Sequence, residues 1–359
     1  YLEQVLPDLT DQDIVSSPFA IQRYIPHEAF GGSHSLGRLR DRMKQRDLKL
    51  MLDFVPNHTA LDHVWAHIHP EFYIQGNEED LAREPGTFRK LETYRGPKIF
   101  AHGKDPYFPA WTDTLQVNYR HAGLREAMIR QLLRIADQCD GARCDMAMLV
   151  LPDVIQQTWG ERSLPVDGSD PVDDPFWPEA IGRVREKYPD FCFMAEVYWD
   201  REWDLQQQGF DYTYDKRLYD RLREKNPETI RQHLMAEIGF QTKLVRFLEN
   251  HDEPRAAHTF PWDQHQASAA LAFSLPGMRF FYEGQFEGRE AHVAMQLARR
   301  PDEKPKAEVQ DFYKTLLKAM NRPQVRDGEW QAVECTTETD SNPFVASIWE
   351  HEQDNPVLT

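Results

Sequence analysis

The chain has 359 residues, enough for one large domain or two ordinary ones, and 40% hydrophobic with 28% charged residues marks a folded globular protein. A formal charge of −17, from 42 Lys and Arg against 59 Asp and Glu, excludes a nucleic-acid binder and disfavours an anionic membrane surface. No apolar run approaches the roughly 18 to 20 residues of a membrane-spanning helix. Four cysteines are too few for a disulfide framework, so they read as thiols in a reducing, cytoplasmic setting.

In chain order, six short apolar runs read as strands: "LKLMLDFV" (48–55), "GARCDMAM" (141–148), "FCFMAEV" (191–197), "GFDYTY" (209–214), "LVRFLEN" (244–250) and "MRFFYE" (278–283). Amphipathic stretches lie between them: "LGRLRDRMKQRD", "LREAMIRQLLRIADQ", "WPEAIGRVREKY", "ETIRQHLMAEI" and "HQASAALAFSL". Alternating apolar strands and helices imply a parallel sheet covered by helices. No G-x-G-x-x-G follows a strand, which removes the dinucleotide-binding version. The stretch "YDKRLYDRLREKN" reads as a solvated helix face.

More than 80 residues separate the first strand from the second, too many for a bare loop, so 57–118 is read as an inserted subdomain. The helix "AEVQDFYKTLLKAMNR" and strand-like "EWQAVEC" and "FVASIWEHE" follow the last apolar run. Six strands in this pattern suit an eight-stranded α/β barrel with two strands missing, or an open doubly wound sheet; on the barrel reading it covers 1–56 and 119–325, with the subdomain at 57–118 and the start of a β domain at 326–359. Six strand signals stand where a barrel needs eight, and residues 1–17 supply only a loop. The chain therefore reads as a segment of a longer protein.

Polar residues gather at the strand ends. Asp53, Asn57 and His58 close the first strand; Arg143 and Asp145 lie in the second; Glu196 ends the third; His251 and Asp252 follow "LVRFLEN". The C-terminal ends of parallel barrel strands share the face where active sites form. Four carboxylates, two histidines and an arginine there equip a site for acid–base and nucleophilic chemistry on a neutral polar substrate. His63, His67 and His69 in "DHVWAHIHP" raise a zinc reading, against which stands the absence of H-E-x-x-H and of a Cys pair.

The strings "DFVPNH", "GARCDMA", "MAEVYWD" and "FLENHDEPR", in that order, resemble the four signature regions of the α-amylase family of glycoside hydrolases. The resemblance implies a (β/α)8 TIM barrel with an inserted domain after strand 3 and a C-terminal β-sandwich. It also implies a retaining mechanism on oligosaccharides, with Asp145 as nucleophile, Glu196 as general acid/base and Asp252 as third carboxylate. Arg143 is implied as the arginine that holds the nucleophile ionised, and His58 and His251 as sugar-binding histidines. Arg255 resembles a sugar-contacting arginine of the α-glucosidase branch, and Phe19 stands where a stacking Tyr is usual. Trp199, just after Glu196, is a candidate sugar platform; Asp53 and Asn57 are read as structural support, with calcium at Asn57 left open and no other cofactor expected.

Met148 and Leu149 replace polar leaving-group-side residues of the family, which favours short α-glucosidic oligosaccharides over long glucans. A transglycosylase or isomerising, trehalose-synthase-like glucosyltransferase would use the same residues, and a non-catalytic amylase-like binding protein would have lost a carboxylate. Linkage and oligomeric state are not readable from the sequence.

Overall fold

The computed structural model describes residues 2–335, 342–351 and 354–359, in two compact units: residues 16–213, and residues 214–359 with the first fifteen. In the first unit, β1 (Met51–Phe54) leads into a region of short antiparallel pairs. There β2 (His58–Ala60) pairs with β5 (Thr114–Gln116), and β3 (Phe88–Thr93) pairs with β4 (Gly96–Ala101). Strands β6 (Gly141–Cys144), β7 (Cys192–Ala195) and β8 (Tyr212–Tyr214) then extend β1 in the parallel order β1-β6-β7-β8.

Gly141 opens β6 because a Cβ there would lie 2.8 Å from the Cys192 carbonyl oxygen of the neighbouring strand. The helix Ala122–Ala136 precedes β6, with the His121 ring accepting from the Leu124 N–H at its N-terminus. Its buried Leu124, Met128, Leu132 and Ile135 recur at three- and four-residue spacing. The helix Phe176–Lys187 precedes β7 and buries Phe176, Trp177, Ala180, Ile181 and Val184. Trp177 meets Phe54, Phe176 and Phe210 edge-on, and its indole N–H donates to the Ala147 carbonyl at 2.9 Å. A core aromatic thereby fixes the turn two residues beyond Asp145.

In the second unit, β9 (Leu244–Arg246) pairs in parallel with β10 (Met278–Arg279), and β11 (Glu329–Val333), β12 (Ala346–His351) and β13 (Asp354–Leu358) form an antiparallel sheet. Glu352, in the anticipated strand "FVASIWEHE", lies outside the described residues. Arg246 is fully buried and bonded to the Asp215 carboxylate, which also contacts His233 at 3.0 Å. Burial pushes Asp215 up, but Arg246 and His233 outweigh it and bring the carboxyl to about 2.

All six apolar runs contain a parallel strand, each shorter than its run. "GARCDMAM" leaves the sheet after Cys144: Met146 takes a left-handed φ of 42° and Ala147–Val150 form a 3-10 turn. "ETIRQHLMAEI" divides into Pro227–Leu234 and Ile238–Gln241. The helix Lys216–Glu224 is not simply solvated, since it buries Leu218, Tyr219 and Leu222 beneath its charged face. No zinc cluster forms around the subdomain histidines. The His63 ring caps a helix by accepting from the Trp65 N–H, His67 meets the Glu92 carbonyl, and His69 pairs with Glu71. All four cysteines are free, and Cys139 and Cys144 are buried. Among the described residues no helix is long and apolar enough to cross a membrane.

Buried histidines make stability depend on pH. Burial lowers His58, His63 and His265 from 6.5 to about 4. Between those values the unfolded chain takes up protons that the folded chain refuses, so stability falls as pH drops through that window, by up to about 1.4 kcal/mol per pH unit for each histidine. The melting temperature is expected to fall between about pH 7 and 4.5. His265→Gln, which retains a polar partner for the Tyr313 hydroxyl, should make the fall shallower. An unchanged slope would contradict this origin.

Candidate active site

The backbone around β6 places two carboxylates side by side. The Asp145 N–H donates to the Phe54 carbonyl at the end of β1, and the Glu196 N–H donates to the Cys144 carbonyl. The chain then turns back, with the Ala147 N–H on the Glu196 carbonyl at 2.9 Å. Asp145 and Glu196 are therefore each the first residue past a parallel strand, as expected for a site at the C-terminal strand ends. Both are buried, with 6% and 2% of their surface exposed.

Arg143 lies in β6 and joins the acidic groups. Its Nη1 donates to Asp145 Oδ1 at 2.8 Å and to Asp53 Oδ1 at 3.0 Å, and Nη2 stands 2.9 Å from Glu196 Oε2. The Phe19 ring covers the guanidinium, with 5.3 Å from ring centre to Cζ. Glu196 also accepts from the Met146 N–H (2.8 Å, at Oε2) and from the Tyr198 hydroxyl (2.8 Å, at Oε1).

One guanidinium cannot neutralise three carboxylates. Burial pushes the Asp145 carboxyl well above its usual range, the neighbouring Glu196 charge pushes the same way, and Arg143 opposes both without overcoming them. The arginine expected beside Asp145 does contact it, and it is shared with Glu196 and Asp53.

His58 opens β2 and is buried and neutral at physiological pH, since burial lowers it to about 4 against a smaller upward pull from the Phe19 backbone. Trp111 lies 5.2 Å from it, ring centre to ring centre. The Asn57 amide nitrogen is 3.5 Å from His58 Nδ1, while Gln116 Nε2 donates to Asn57 Oδ1 at 2.8 Å and to the Asn57 carbonyl at 2.9 Å. Calcium requires free oxygen ligands. Asn57 Oδ1 is engaged by Gln116 and Asp53 Oδ1 by Arg143.

The second unit carries the remaining anticipated residues. Asn250 Oδ1 accepts from the N–H groups of Asp252 (2.9 Å) and Glu253 (2.8 Å), a tight turn that presents the His251–Asp252 pair, whose side chains meet at 3.2 Å. The His251 carbonyl lies 3.0 Å from His292 Nε2. Arg255 is buried: its Nη1 donates to Glu249 Oε1 and the Glu283 carbonyl, Nε to the Ala291 carbonyl, and its guanidinium lies 4.3 Å from the Tyr282 ring centre. In this conformation it binds protein groups and anchors the segment after Asp252.

Reading the sequence did not single out Tyr198, Gln116 or the Met146 N–H. Tyr198 was accessible in principle, standing two residues after Glu196 as Asp145 stands two after Arg143. Gln116 lies in "TLQVN", where its partner Asn57 is 59 residues away and invisible to local pattern.

Comparison with known proteins agrees with this arrangement. The family model "Alpha amylase, catalytic domain" matches residues 23–353. α-Amylase MalA of Haloarcula japonica is 25% identical over 260 residues, covering 70% of this chain and 33% of that protein. An α-1,4-glucan:maltose-1-phosphate maltosyltransferase of Burkholderia pseudomallei is 26% identical over 283 residues, covering 76% of this chain and 21% of that protein. This chain thus spans a third or less of the length of either. The crystal structure of an α-amylase from Lactobacillus plantarum superposes with a TM-score of 0.68 at 22% identity, covering 96% of this chain and 76% of that one, and shows a shared fold. With its six parallel strands and its carboxylates at the strand ends, this chain belongs to the α-amylase family, through a catalytic domain whose fold is the (β/α)8 barrel.

Proposed function

We propose that this chain carries the catalytic machinery of a retaining α-glycoside hydrolase acting on α-glucosidic bonds of short oligosaccharides. The observation that carries the reading is one buried guanidinium contacting both Asp145 and Glu196. Retention requires the two carboxyls about 5 to 5.5 Å apart, against about 6.5 to 9.5 Å for inversion, and a shared arginine favours the shorter spacing.

In the proposed cycle, Asp145 attacks the anomeric carbon while Glu196 gives its proton to the glycosidic oxygen, and the leaving sugar departs with that proton. Glu196, now a carboxylate, takes a proton from water as the water attacks the glycosyl–Asp145 bond, which returns both groups to their first state. Glu196 must carry the proton and Asp145 the negative charge when the bond breaks, and the Arg143 guanidinium bonded to Asp145 favours that charge until the glycosyl–ester bond neutralises it. The family resemblance assigns Asp252 to stabilising charge on the sugar ring, and His58 and His251 to its hydroxyls. A transglycosylase differs only in using a sugar hydroxyl in place of water, and the maltosyltransferase relative is what favours that second reading.

Two sets of measurements test the proposal. Asp145→Asn should lower turnover by at least about a thousandfold, with azide giving no product of retained configuration. Glu196→Ala should keep glycosylation by substrates with good leaving groups and show azide rescue of the second step. A first product of inverted configuration overturns the scheme. Met148 and Leu149, with 0% and 4% exposure, are packed as core in the turn after Asp145 and offer a sugar no polar contact. Maltodextrins should therefore have kcat/KM values no higher than maltose; a strong preference for soluble starch would contradict this.

A further inference from the structure

The two carboxyl oxygens of Glu196 meet chemically different partners. Oε2 accepts from the Met146 N–H at 2.8 Å and stands 2.9 Å from Arg143 Nη2. Both neighbours can only donate, so a proton on Oε2 would face groups unable to receive it. Oε1 meets the Tyr198 hydroxyl at 2.8 Å, a group that both donates and accepts. The proton of the acid form therefore belongs on Oε1, the oxygen that Tyr198 touches.

A turn of strained backbone carries Tyr198 to that place. The Tyr198 carbonyl accepts from the Arg201 N–H at 3.3 Å. Between them, Trp199 and Asp200 both take left-handed backbone angles, φ 63° and 60°, which cost free energy in non-glycine residues. Arg201 clamps the turn with a two-point pair to Asp153 (2.6 and 3.0 Å) and a contact to Asp204 at 2.6 Å. Asp153 lies in the helix Pro152–Trp159, which follows the 3-10 turn Ala147–Val150 just after Asp145. The segments that leave the two acids are thus tied to each other, and the tie holds the half-buried Tyr198 against Glu196.

We infer that Tyr198 is a positioning residue of the general acid: it directs the Glu196 proton to Oε1 and stabilises the carboxylate left there after the transfer. This rests on the hydrolytic reading above. When the glycosidic C–O bond breaks, the proton passes from Oε1 to the leaving oxygen, which also takes the bonding electron pair. Asp145 forms the new bond to the anomeric carbon, and Tyr198 keeps its own proton throughout. As negative charge gathers on Oε1, the bond from the Tyr198 O–H becomes charge-assisted and stronger than in the neutral acid form. Leaving groups that need a proton gain from this, whereas those that depart as stable anions do not.

The test compares the intact protein with its Tyr198→Phe variant on two substrates: maltose, whose leaving glucose needs a proton, and α-glucosyl fluoride, whose fluoride departs with little help. Tyr198→Phe should lower kcat/KM for maltose by about tenfold and for α-glucosyl fluoride by no more than about twofold. A merely structural role would lower both alike, so equal losses, or no loss on maltose, would overturn the proposal. A second readout needs no turnover. The Glu196 carboxyl is followed by 13C NMR in protein labelled at the glutamate carboxyl carbon, its signal assigned by Glu196→Gln. A hydrogen bond donated to the ionised form favours that form, so Tyr198→Phe should raise the pH at which Glu196 titrates by about one unit, with Arg143, Asp145 and Asp53 in place in both proteins. No shift, or a downward one, would overturn the proposal. If the intact protein turns over neither substrate, the hydrolytic reading fails, and this titration alone decides whether Tyr198 acts on Glu196.

Discussion

The site depends on the Arg143 guanidinium buried among Asp53, Asp145 and Glu196. An arginine cannot lose its proton in a protein, so it supplies a fixed positive charge that permits carboxylates to be buried at all. One positive charge there faces three acids, and burial together with the Glu196 charge pushes the Asp145 carboxyl above its usual range. Replacing Arg143 by a neutral residue would leave uncompensated buried charge, a change that commonly costs about 3–5 kcal/mol, and would remove the geometric tie between the two acids.

The fold serves that cluster by ending strands on time. β6 stops at Cys144 and β7 at Ala195, so each acid follows its strand by one residue. Both chains then turn through left-handed residues, Met146 after the first acid and Trp199 with Asp200 after the second. These turns free the Met146 N–H to donate to Glu196 and bring Tyr198 onto the same carboxylate. Trp177, pinned to the Ala147 carbonyl, couples the first turn to the core. Backbone strain and core packing thus meet at the two buried carboxylates.

Much of this was legible in the sequence, and what was not follows from physical range. The six strands declared themselves as short runs rich in apolar residues, and the acids stood out because a carboxylate in such a run needs a reason. The order of four motifs supplied the family. Strand ends were misjudged, since "GARCDMAM" stays apolar through a turn that is itself buried. Arg143 was read as a partner of Asp145 because they are two residues apart, whereas its contacts with Glu196 and Asp53 cross 53 and 90 positions of chain. The partners of Arg255, Glu249, Glu283 and Ala291, are brought together only by folding.

The covalent step is the centre of the account, and trapping it is the most direct measurement. A 5-fluoro-α-glucosyl fluoride reacts as a glycosyl donor, while its ring fluorine slows the second step so that the intermediate accumulates. Peptide mapping by mass spectrometry after brief incubation should find one fluoroglucosyl group, on Asp145, and none in the Asp145→Asn variant. A label on Glu196 or on any other residue, or turnover of the reagent with no labelled peptide and a product of inverted configuration, would contradict it.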